Sequence, residues 1–229
     1  MSELVPFGDS NMNRSSRTTC LLIFSLSTLV SFPAFAEELA VKISREISSI
    51  KVMHNGSLIS IQRNQNTKNR IADNYALTSR PCPRFCIQPI KLAPGIETVG
   101  ELEVIDYLQQ MQHDNNQILI IDSRTPDWVK KGTIPGSINI PWTSLNQDSG
   151  ADSISIGEIL ENQFNATELD DGWDFSGAKT LVLFCNGMWC GQSANSIKAL
   201  LKMGYPAEKL KWYRDGMQTW ETLGLTTIK

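Results

Sequence analysis

Histidine is scarce in this sequence, and positive charge is not in excess. The 229 residues include only two histidines, His54 and His113, which are far apart in the chain. This scarcity argues against a histidine-rich metal centre and leaves few candidates for a histidine base. Lysine and arginine number 21 against 24 aspartates and glutamates, a net charge of −3. We therefore expect neither a metal site nor a nucleic-acid partner.

Long hydrophobic runs are also missing, apart from one near the start of the chain. Residues 21–32 are apolar but interrupted by serines; two arginines precede them, and Ala34 and Ala36 follow in an A-x-A arrangement. This pattern predicts a signal peptide over residues 1–36, cleaved after Ala36, with Met12 as an alternative start. An uncleaved anchor is the other interpretation, but the run is short for a span. We expect a periplasmic or secreted protein with no membrane span after cleavage.

Four cysteines remain after residue 36, namely Cys82, Cys86, Cys185 and Cys190. In an oxidising compartment, cysteines pair unless something keeps them reduced. Four cysteines allow three pairings, and the sequence does not choose among them.

The composition and the predicted secondary structure of the chain change near residue 95. Before it, two β-rich runs flank Asn55-Gly56, a strong hairpin signal, and a proline-rich segment follows. After it, Thr98 with Glu101 three residues later predicts a helix with a capping box. We expect an N-terminal extension over residues 37–95, containing the hairpin and the Cys-x3-Cys segment, and a second domain over residues 96–229.

Strands and helices alternate in the second domain. Apolar strands are predicted at 117–122, 137–141, 180–184 and 209–213, with helical patterns at 155–163, about 193–203 and 215–224 between or after them. This alternation predicts an α/β fold whose central parallel sheet carries helices on both faces.

Cys185 follows the predicted strand 180–184 and precedes a predicted helix. Ligand sites form at the carboxyl ends of parallel strands, and the free amides of a helix N-terminus favour negative charge. Gly187 and Gly191 allow the intervening loop to turn its amides inward. A thiolate there would have a lowered pKa, which indicates a nucleophile in an anion cradle. The alternative is a buried core thiol.

Three motifs resemble those of rhodanese domains, the sulfurtransferases. The loop after Cys185 is one, and "LKWYRDGMQTW" resembles the closing signature of the family. Residues 119–145 resemble its first signature, through Asp122, Arg124, Trp128, Gly132, Ile134, Pro135, Gly136, Asn139, Ile140 and Pro141. The resemblance covers about residues 97–227 and implies a rhodanese-like fold, here with an N-terminal β-hairpin extension.

The resemblance also implies a chemistry. Cys185 would take sulfane sulfur from a small sulfur-containing anion such as thiosulfate and pass it to a thiol or other nucleophile, with a thiol protein as acceptor or reductant. No cofactor is implied. Asp122 and Arg124 would brace the loops. The persulfide and the anion would be held by the loop residues Asn186, Gly187, Met188, Trp189, Cys190, Gly191 and Gln192.

The sequence departs from the family pattern in three places. Ser193 stands eight residues after Cys185, two more than in common rhodanese loops, and a longer loop suits a larger anion. No arginine or lysine lies between these two residues, which argues against a phosphatase of related fold. Thr133 replaces the histidine that often precedes Ile-Pro-Gly.

The remaining cysteines leave alternatives open. Cys190 is a resolving thiol that discharges or protects Cys185, half of a redox pair with it, or an inert loop residue. Cys82 and Cys86 form a structural disulfide, act as a shuttle to Cys185, or pair with the loop cysteines. Trp189 either walls the site or packs beneath the loop. A thiol-disulfide exchange protein and a non-catalytic anion-binding or partner-binding module are therefore the alternative functions.

Overall fold

The computed structural model describes residues 39–113 and 117–229, and residues 38–229 form one compact unit. The predicted signal peptide, residues 1–36, lies outside the described residues. The strands are β1 (Ser49–His54), β2 (Ser57–Gln62), β3 (Glu97–Thr98), β4 (Ile118–Asp122), β5 (Ile138–Asn139), β6 (Thr167–Leu169), β7 (Gly172–Asp174), β8 (Thr180–Phe184) and β9 (Leu210–Tyr213). The α-helices are α1 (Asp73–Ala76), α2 (Glu101–His113), α3 (Pro126–Val129), α4 (Ser153–Asn162), α5 (Gln192–Lys202) and α6 (Gly216–Thr222).

A five-stranded parallel sheet forms the centre of the fold, as the sequence predicts. Its strand order is β3-β9-β8-β4-β5, and β4 pairs with β8 in register from Ile118 opposite Thr180 to Asp122 opposite Phe184. The inner strand β8 is a continuous apolar run because both of its faces are covered. The expected α/β fold is confirmed.

Two hydrophobic cores lie on opposite faces of this sheet. On one face, Leu181 and Leu183 of β8 pack with buried residues of α4 and α5 such as Leu160 and Ile197. On the other face, Val182 and Phe184 pack with residues of α2, α6 and the N-terminal hairpin. Successive residues of β8 therefore point into different cores, as the pleat of a strand requires.

The predicted hairpin is present, with β1 and β2 paired from Ser49 opposite Gln62 to His54 opposite Ser57. Asn55 and Gly56 both have positive φ angles, 47° and 76°, as a tight two-residue turn requires. Val52 and Ile61 are fully buried in the same core as α2 and α6. The hairpin thus packs against the second of the two domains, and whether a domain boundary falls at residue 95 stays a prediction.

The expected capping box at the start of the first long helix is wrong. Thr98 belongs to β3, where it pairs with Trp212 of β9. Its hydroxyl donates a hydrogen bond to the carbonyl oxygen of Ile90. The helix α2 begins three residues later, and Glu103 accepts the N–H of Gly100 at 2.9 Å. Pairing at the sheet edge therefore overrides the local capping signal.

Candidate active site

Cys185 follows directly after β8 and is completely buried. The start of α6 holds its backbone, because the Cys185 carbonyl accepts the N–H of Met217 at 3.0 Å and the Asn186 carbonyl accepts that of Gln218 at 3.0 Å. Gly216 makes this contact feasible, since a Cβ atom there would overlap the Cys185 carbonyl oxygen. The closing signature "DGMQTW" is thus the support of the cysteine loop.

The environment of the Cys185 thiol favours its ionised form. Burial alone would raise its pKa, but hydrogen bonds from the Cys190 side chain, from the hydroxyl and amide of Ser193 and from the amide of Gly187 lower the pKa to about 7. Ser193 lies in the first turn of α5, where backbone N–H groups have no helical acceptor. Two of the groups that lower the pKa of Cys185, the hydroxyl and the amide of Ser193, therefore come from the first turn of α5.

Cys190 lies against Cys185. The Cys185 thiol donates to the carbonyl oxygen of Cys190 at 3.1 Å, and both thiols are free. Burial, together with the neighbouring Cys185, raises the pKa of Cys190 well above its usual value. The two pKa values therefore move apart, so that Cys185 ionises more readily than Cys190.

The loop between the two cysteines does not aim all its amides at the thiol. The N–H of Cys190 turns back onto the carbonyl oxygen of Gly187 at 2.8 Å, while the amides of Gly187 and Ser193 face Cys185. Met188 is at the exposed tip of the loop. Gly191 precedes α5, and Gln192 begins it, with its Oε1 atom 3.6 Å from the Cys190 sulfur.

Trp189 packs in an aromatic cluster and also walls the site. Its indole N–H donates to Oε1 of Gln218 at 2.7 Å, and its ring is 5.5 Å from the Phe85 ring and 6.5 Å from the Trp128 ring, measured between centroids. The guanidinium of Arg80 lies 4.0 Å from its ring centroid. Both interpretations of Trp189 therefore describe part of its position.

Asp122 and Arg124 form a fully buried ion pair beside the loop. Two bonds of 2.8 and 2.6 Å join the guanidinium to the carboxylate. Arg124 also donates to the carbonyl oxygen of Gly132 at 2.7 Å and to the Tyr75 hydroxyl at 2.9 Å. Thr133, which stands where the family often has histidine, donates to Asp122 at 2.7 Å. This arrangement ties the ends of β4 and β8 to the loop before β5.

The N-terminal extension contributes residues to the site that sequence reasoning missed. The Tyr75 hydroxyl lies 3.5 Å from the side-chain oxygen of Asn186. The Tyr75 carbonyl oxygen accepts a hydrogen bond from the Gln218 side chain at 3.0 Å. The N–H of Gln88 donates to the Met188 carbonyl at 2.8 Å. No local pattern in this polar, proline-rich stretch signals these contacts, whereas Gln218 lies inside the recognised closing signature.

Cys82 and Cys86 are paired with each other in the structure, with their Cα atoms 4.6 Å apart. The segment between them carries Phe85 onto Trp189, so the Cys-x3-Cys segment lies beside the cysteine loop. The structure does not bring Cys82 or Cys86 into the pair formed by Cys185 and Cys190. Whether the bond is kept in the working protein stays a prediction.

A cavity of about 410 Å³ opens over the loop. Its lining comes from the extension, from the segments after β4 and β5, and from the loop itself, and includes Arg84, Phe85, Thr125, Trp128, Trp142, Asn186, Trp189, Cys190, Gly191, Gln192 and Asn195. Cys190 lines this cavity, whereas Cys185 is fully buried and does not line it. A similar cavity of about 450 Å³ between α4 and α5 contains no thiol.

Within residues 39–113 and 117–229, no cluster of three or more histidine, cysteine, aspartate or glutamate side chains is arranged to hold a metal ion. In the same residues, none of the helices combines the length and the apolar character needed to cross a membrane.

The arrangement is similar to that of proteins already known. A family model described as the rhodanese-like domain matches residues 104–223. A search of curated proteins finds no match.

Three of the solved structures that are similar to this chain are the following. A rhodanese-related protein from Thermoplasma volcanium is 17% identical, with 58% of this chain and 97% of that chain covered and a TM-score of 0.36. A human single-domain sulfurtransferase is 21% identical, with 54% and 93% covered and a TM-score of 0.33. A thiosulfate sulfurtransferase from Pseudomonas aeruginosa is 18% identical, with 58% and 20% covered and a TM-score of 0.36.

The assignment to a family rests on the family model, which spans just over half of the 229 residues and includes both site cysteines. The motifs around Asp122, Cys185 and Gly216 meet at the carboxyl ends of β4, β8 and β9. The chain belongs to the rhodanese-like domain family.

Proposed function

We propose that this protein is a sulfurtransferase, which moves sulfane sulfur from a small anionic donor such as thiosulfate to a thiol or another nucleophile through a persulfide on Cys185. The observation that carries the proposal is the position of the Cys185 thiol, directly after the carboxyl end of β8, with the amides of Gly187 and Ser193 directed at it. Membership of the rhodanese-like family supports the same chemistry.

The reaction consists of two displacements at sulfur. The Cys185 thiolate attacks the outer sulfur of thiosulfate, the bond between the two thiosulfate sulfurs breaks, and sulfite leaves with the bonding electron pair. The acceptor thiolate then attacks the outer sulfur of the persulfide, and Cys185 leaves as a thiolate. The amides of Gly187 and Ser193 stabilise negative charge on the Cys185 sulfur at both stages.

Cys190 is proposed as a resolving thiol. The hydrogen bond between the two side chains brings its sulfur within reach of the inner sulfur of the persulfide. Attack there would form a disulfide between the two cysteines and expel hydrosulfide. The raised pKa of Cys190 keeps it protonated while Cys185 reacts with the donor. A reductant, such as a thiol protein, would then restore both thiols.

Thiol-disulfide exchange is the second candidate function, and the hydrogen bond between the two cysteine side chains favours it. In this case the working bond is a disulfide between Cys185 and Cys190, and no sulfane sulfur is carried. The two functions differ in their dependence on Cys190, since sulfur transfer to an added thiol needs only Cys185.

The site of action is proposed to be the periplasm or the exterior of the cell. The pattern of residues 1–36 supports export with cleavage after Ala36, and the pairing of Cys82 with Cys86 is compatible with an oxidising compartment. Fractionation of cells and N-terminal sequencing test this proposal, and we expect the exported chain to begin at Glu37.

Intact mass spectrometry after thiosulfate treatment tests the proposed activity. We expect the reduced protein to gain about 32 Da, one sulfur atom, and the Cys185→Ser variant to gain nothing. The Cys190→Ser variant should still gain the sulfur and pass it to an added thiol. If thiol-disulfide exchange persists while no donor adds sulfur, the second candidate replaces the first, and binding without turnover in either assay would indicate a binding module.

A further inference from the structure

The disulfide between Cys82 and Cys86 lies at the surface, beside a site whose own cysteines are buried. Cys82 is exposed and Cys86 is half-buried, whereas Cys185 is fully buried and Cys190 is 6% exposed. The reaction of a disulfide with a thiol depends on access to its sulfur atoms. A dithiol in solution therefore meets the surface disulfide before it can reach the two site cysteines.

The segment that carries this disulfide rests on the outer part of the cysteine loop. The Phe85 ring packs edge-on against the Trp189 ring, with 5.5 Å between the centroids. Further along the segment, the N–H of Gln88 donates to the carbonyl oxygen of Met188 at 2.8 Å. We call residues 80–88 the clamp segment, because they hold the loop from outside.

The clamp segment also covers Cys190. Phe85 packs against the apolar cluster that contains Cys185, Trp189 and Cys190, and it lines the same cavity as Cys190. Arg80, at the start of the segment, lies with its guanidinium 4.0 Å from the Trp189 ring centroid. Movement of the clamp segment away from the loop would therefore expose Cys190 to solvent.

The inner part of the loop has separate supports. It is held by Ser193 in the first turn of α5 and by Met217 in the first turn of α6. The clamp segment, by contrast, lies between α1 and β3, where the chain forms no helix or strand, and its far end is anchored where Arg214 donates to the carbonyl oxygen of Gln88 at 2.8 Å. Ordering irregular chain costs conformational entropy, and a disulfide lowers that cost by restricting the chain that it closes.

We propose that the Cys82–Cys86 disulfide is a redox switch that controls the exposure of Cys190. With the bond intact, the clamp segment keeps Phe85 against the loop. When a dithiol protein reduces the bond, the two sulfurs separate, two electrons and two protons pass to them, and the dithiol becomes a disulfide. The freed segment leaves the loop, and the same reductant gains access to Cys190. The consequence for turnover rests on the proposed function, whereas release of the segment does not require Cys185 to carry sulfur.

The rate of alkylation of Cys190 tests the switch. The Cys185→Ser variant serves as the parent, because Cys190 cannot then pair with residue 185 and stays a free thiol. The parent is treated with iodoacetamide at one fixed pH, before and after reduction by dithiothreitol under anaerobic conditions, and peptide mapping reads the label at Cys190. We expect reduction to accelerate the labelling by about tenfold or more, because only molecules with an open clamp segment react.

Further variants of this parent separate the disulfide from its surroundings. Cys82→Ser combined with Cys86→Ser should label at the fast rate with or without dithiothreitol. Phe85→Ala should label fast even with the disulfide intact, because the ring that covers Cys190 is gone. Ile87→Ala is the matched control, since Ile87 lies in the same segment but is 79% exposed, and it should label at the parent's rate. The urea midpoint of each variant shows whether global stability has changed.

The outcomes separate this inference from the proposed function. Equal labelling of Cys190 before and after reduction overturns the switch, and so does an acceleration in the variants that merely follows a fall in the urea midpoint. Both results leave the sulfurtransferase standing, provided that wild-type Cys185 gains one sulfur from thiosulfate. Faster labelling after reduction, without any gain of sulfur by the wild type, supports the switch and overturns the sulfurtransferase alone.

Discussion

The Cys185 thiol donates a hydrogen bond to the backbone carbonyl oxygen of Cys190 at 3.1 Å. The neighbouring Cys190 lines the cavity over the loop, and the buried Cys185 does not. Any donor entering the cavity therefore meets Cys190 before Cys185. The order of the two thiols makes the fate of the bound sulfur depend on Cys190.

Replacement of Cys190 by serine should prolong the life of the persulfide. In the wild-type protein, attack by Cys190 on the inner sulfur expels hydrosulfide and leaves a disulfide, about 2 Da lighter than the reduced protein. In Cys190→Ser this step is impossible, so the gain of one sulfur should persist in the absence of acceptor. A time course of intact mass and sulfide release after thiosulfate addition measures both.

Ile154→Ala is the control for this variant, because Ile154 is an exposed residue of α4 that takes no part in the cysteine loop. It should release sulfide at the wild-type rate. Equal persulfide lifetimes in wild type and Cys190→Ser would show that Cys190 has no resolving role.

The reactivity of Cys185 should depend on pH with a midpoint near 7. Its pKa is lowered to about 7 by bonds that outweigh the effect of burial, and only the thiolate is nucleophilic, so alkylation should speed up as pH rises through that value. Removing a bond to the thiolate raises the pKa and moves the midpoint to higher pH. Iodoacetamide labelling from pH 5 to 10, read at Cys185 by peptide mapping, checks the profile.

Two serines of α5 provide the comparison for this profile. Ser193→Ala removes a hydroxyl that bonds the Cys185 thiolate, so its midpoint should lie higher than that of the wild type. Ser196→Ala removes a buried hydroxyl that bonds the carbonyl oxygen of Gln192 at 3.4 Å instead, and it should keep the wild-type midpoint. Identical midpoints for all three proteins would contradict the role given to Ser193.

The sequence predicts the central sheet and the position of Cys185 because both depend on local patterns. The run of apolar residues in β8 and the glycines after it signal a buried strand followed by a turn into a helix. The roles of Tyr75 and Gln88 were beyond prediction, since they depend on where an irregular, proline-rich segment docks on a distant loop. Thr98 shows the opposite error, in which a local capping pattern predicted a helix start at a residue that instead pairs with Trp212 of β9.

The buried ion pair predicts that replacing Asp122 lowers the free energy of unfolding far more than replacing Asp127. Asp122→Asn leaves Arg124 buried without its counter-charge, which should lower the free energy of unfolding by about 3–5 kcal/mol. Asp127→Asn is the control, because Asp127 is exposed and 3.9 Å from Lys130, and surface pairs contribute little. Urea denaturation followed by fluorescence measures both variants. Similar midpoints for the two would show that the Asp122 pair does not brace the fold.

The close approach of Gly216 to Cys185 predicts that the closing signature positions Cys185 through backbone contacts. Gly216→Ala places a Cβ atom on the carbonyl oxygen of Cys185 and demands a left-handed conformation at φ 52°, so we expect a loss of stability of about 2–5 kcal/mol. Gly150→Ala has the same kind of conformation at φ 96° but open space around the new atom, so its cost should be about 1–2 kcal/mol.

The second readout for these glycines is persulfide formation at a temperature where each variant is folded. Displacement of the Cys185 carbonyl should break the bond from Met217 and move the thiol relative to Ser193, so Gly216→Ala should form the persulfide at least tenfold more slowly than Gly150→Ala. Equal rates in the two folded variants would mean that the thiol is positioned by α5 alone, without help from the start of α6.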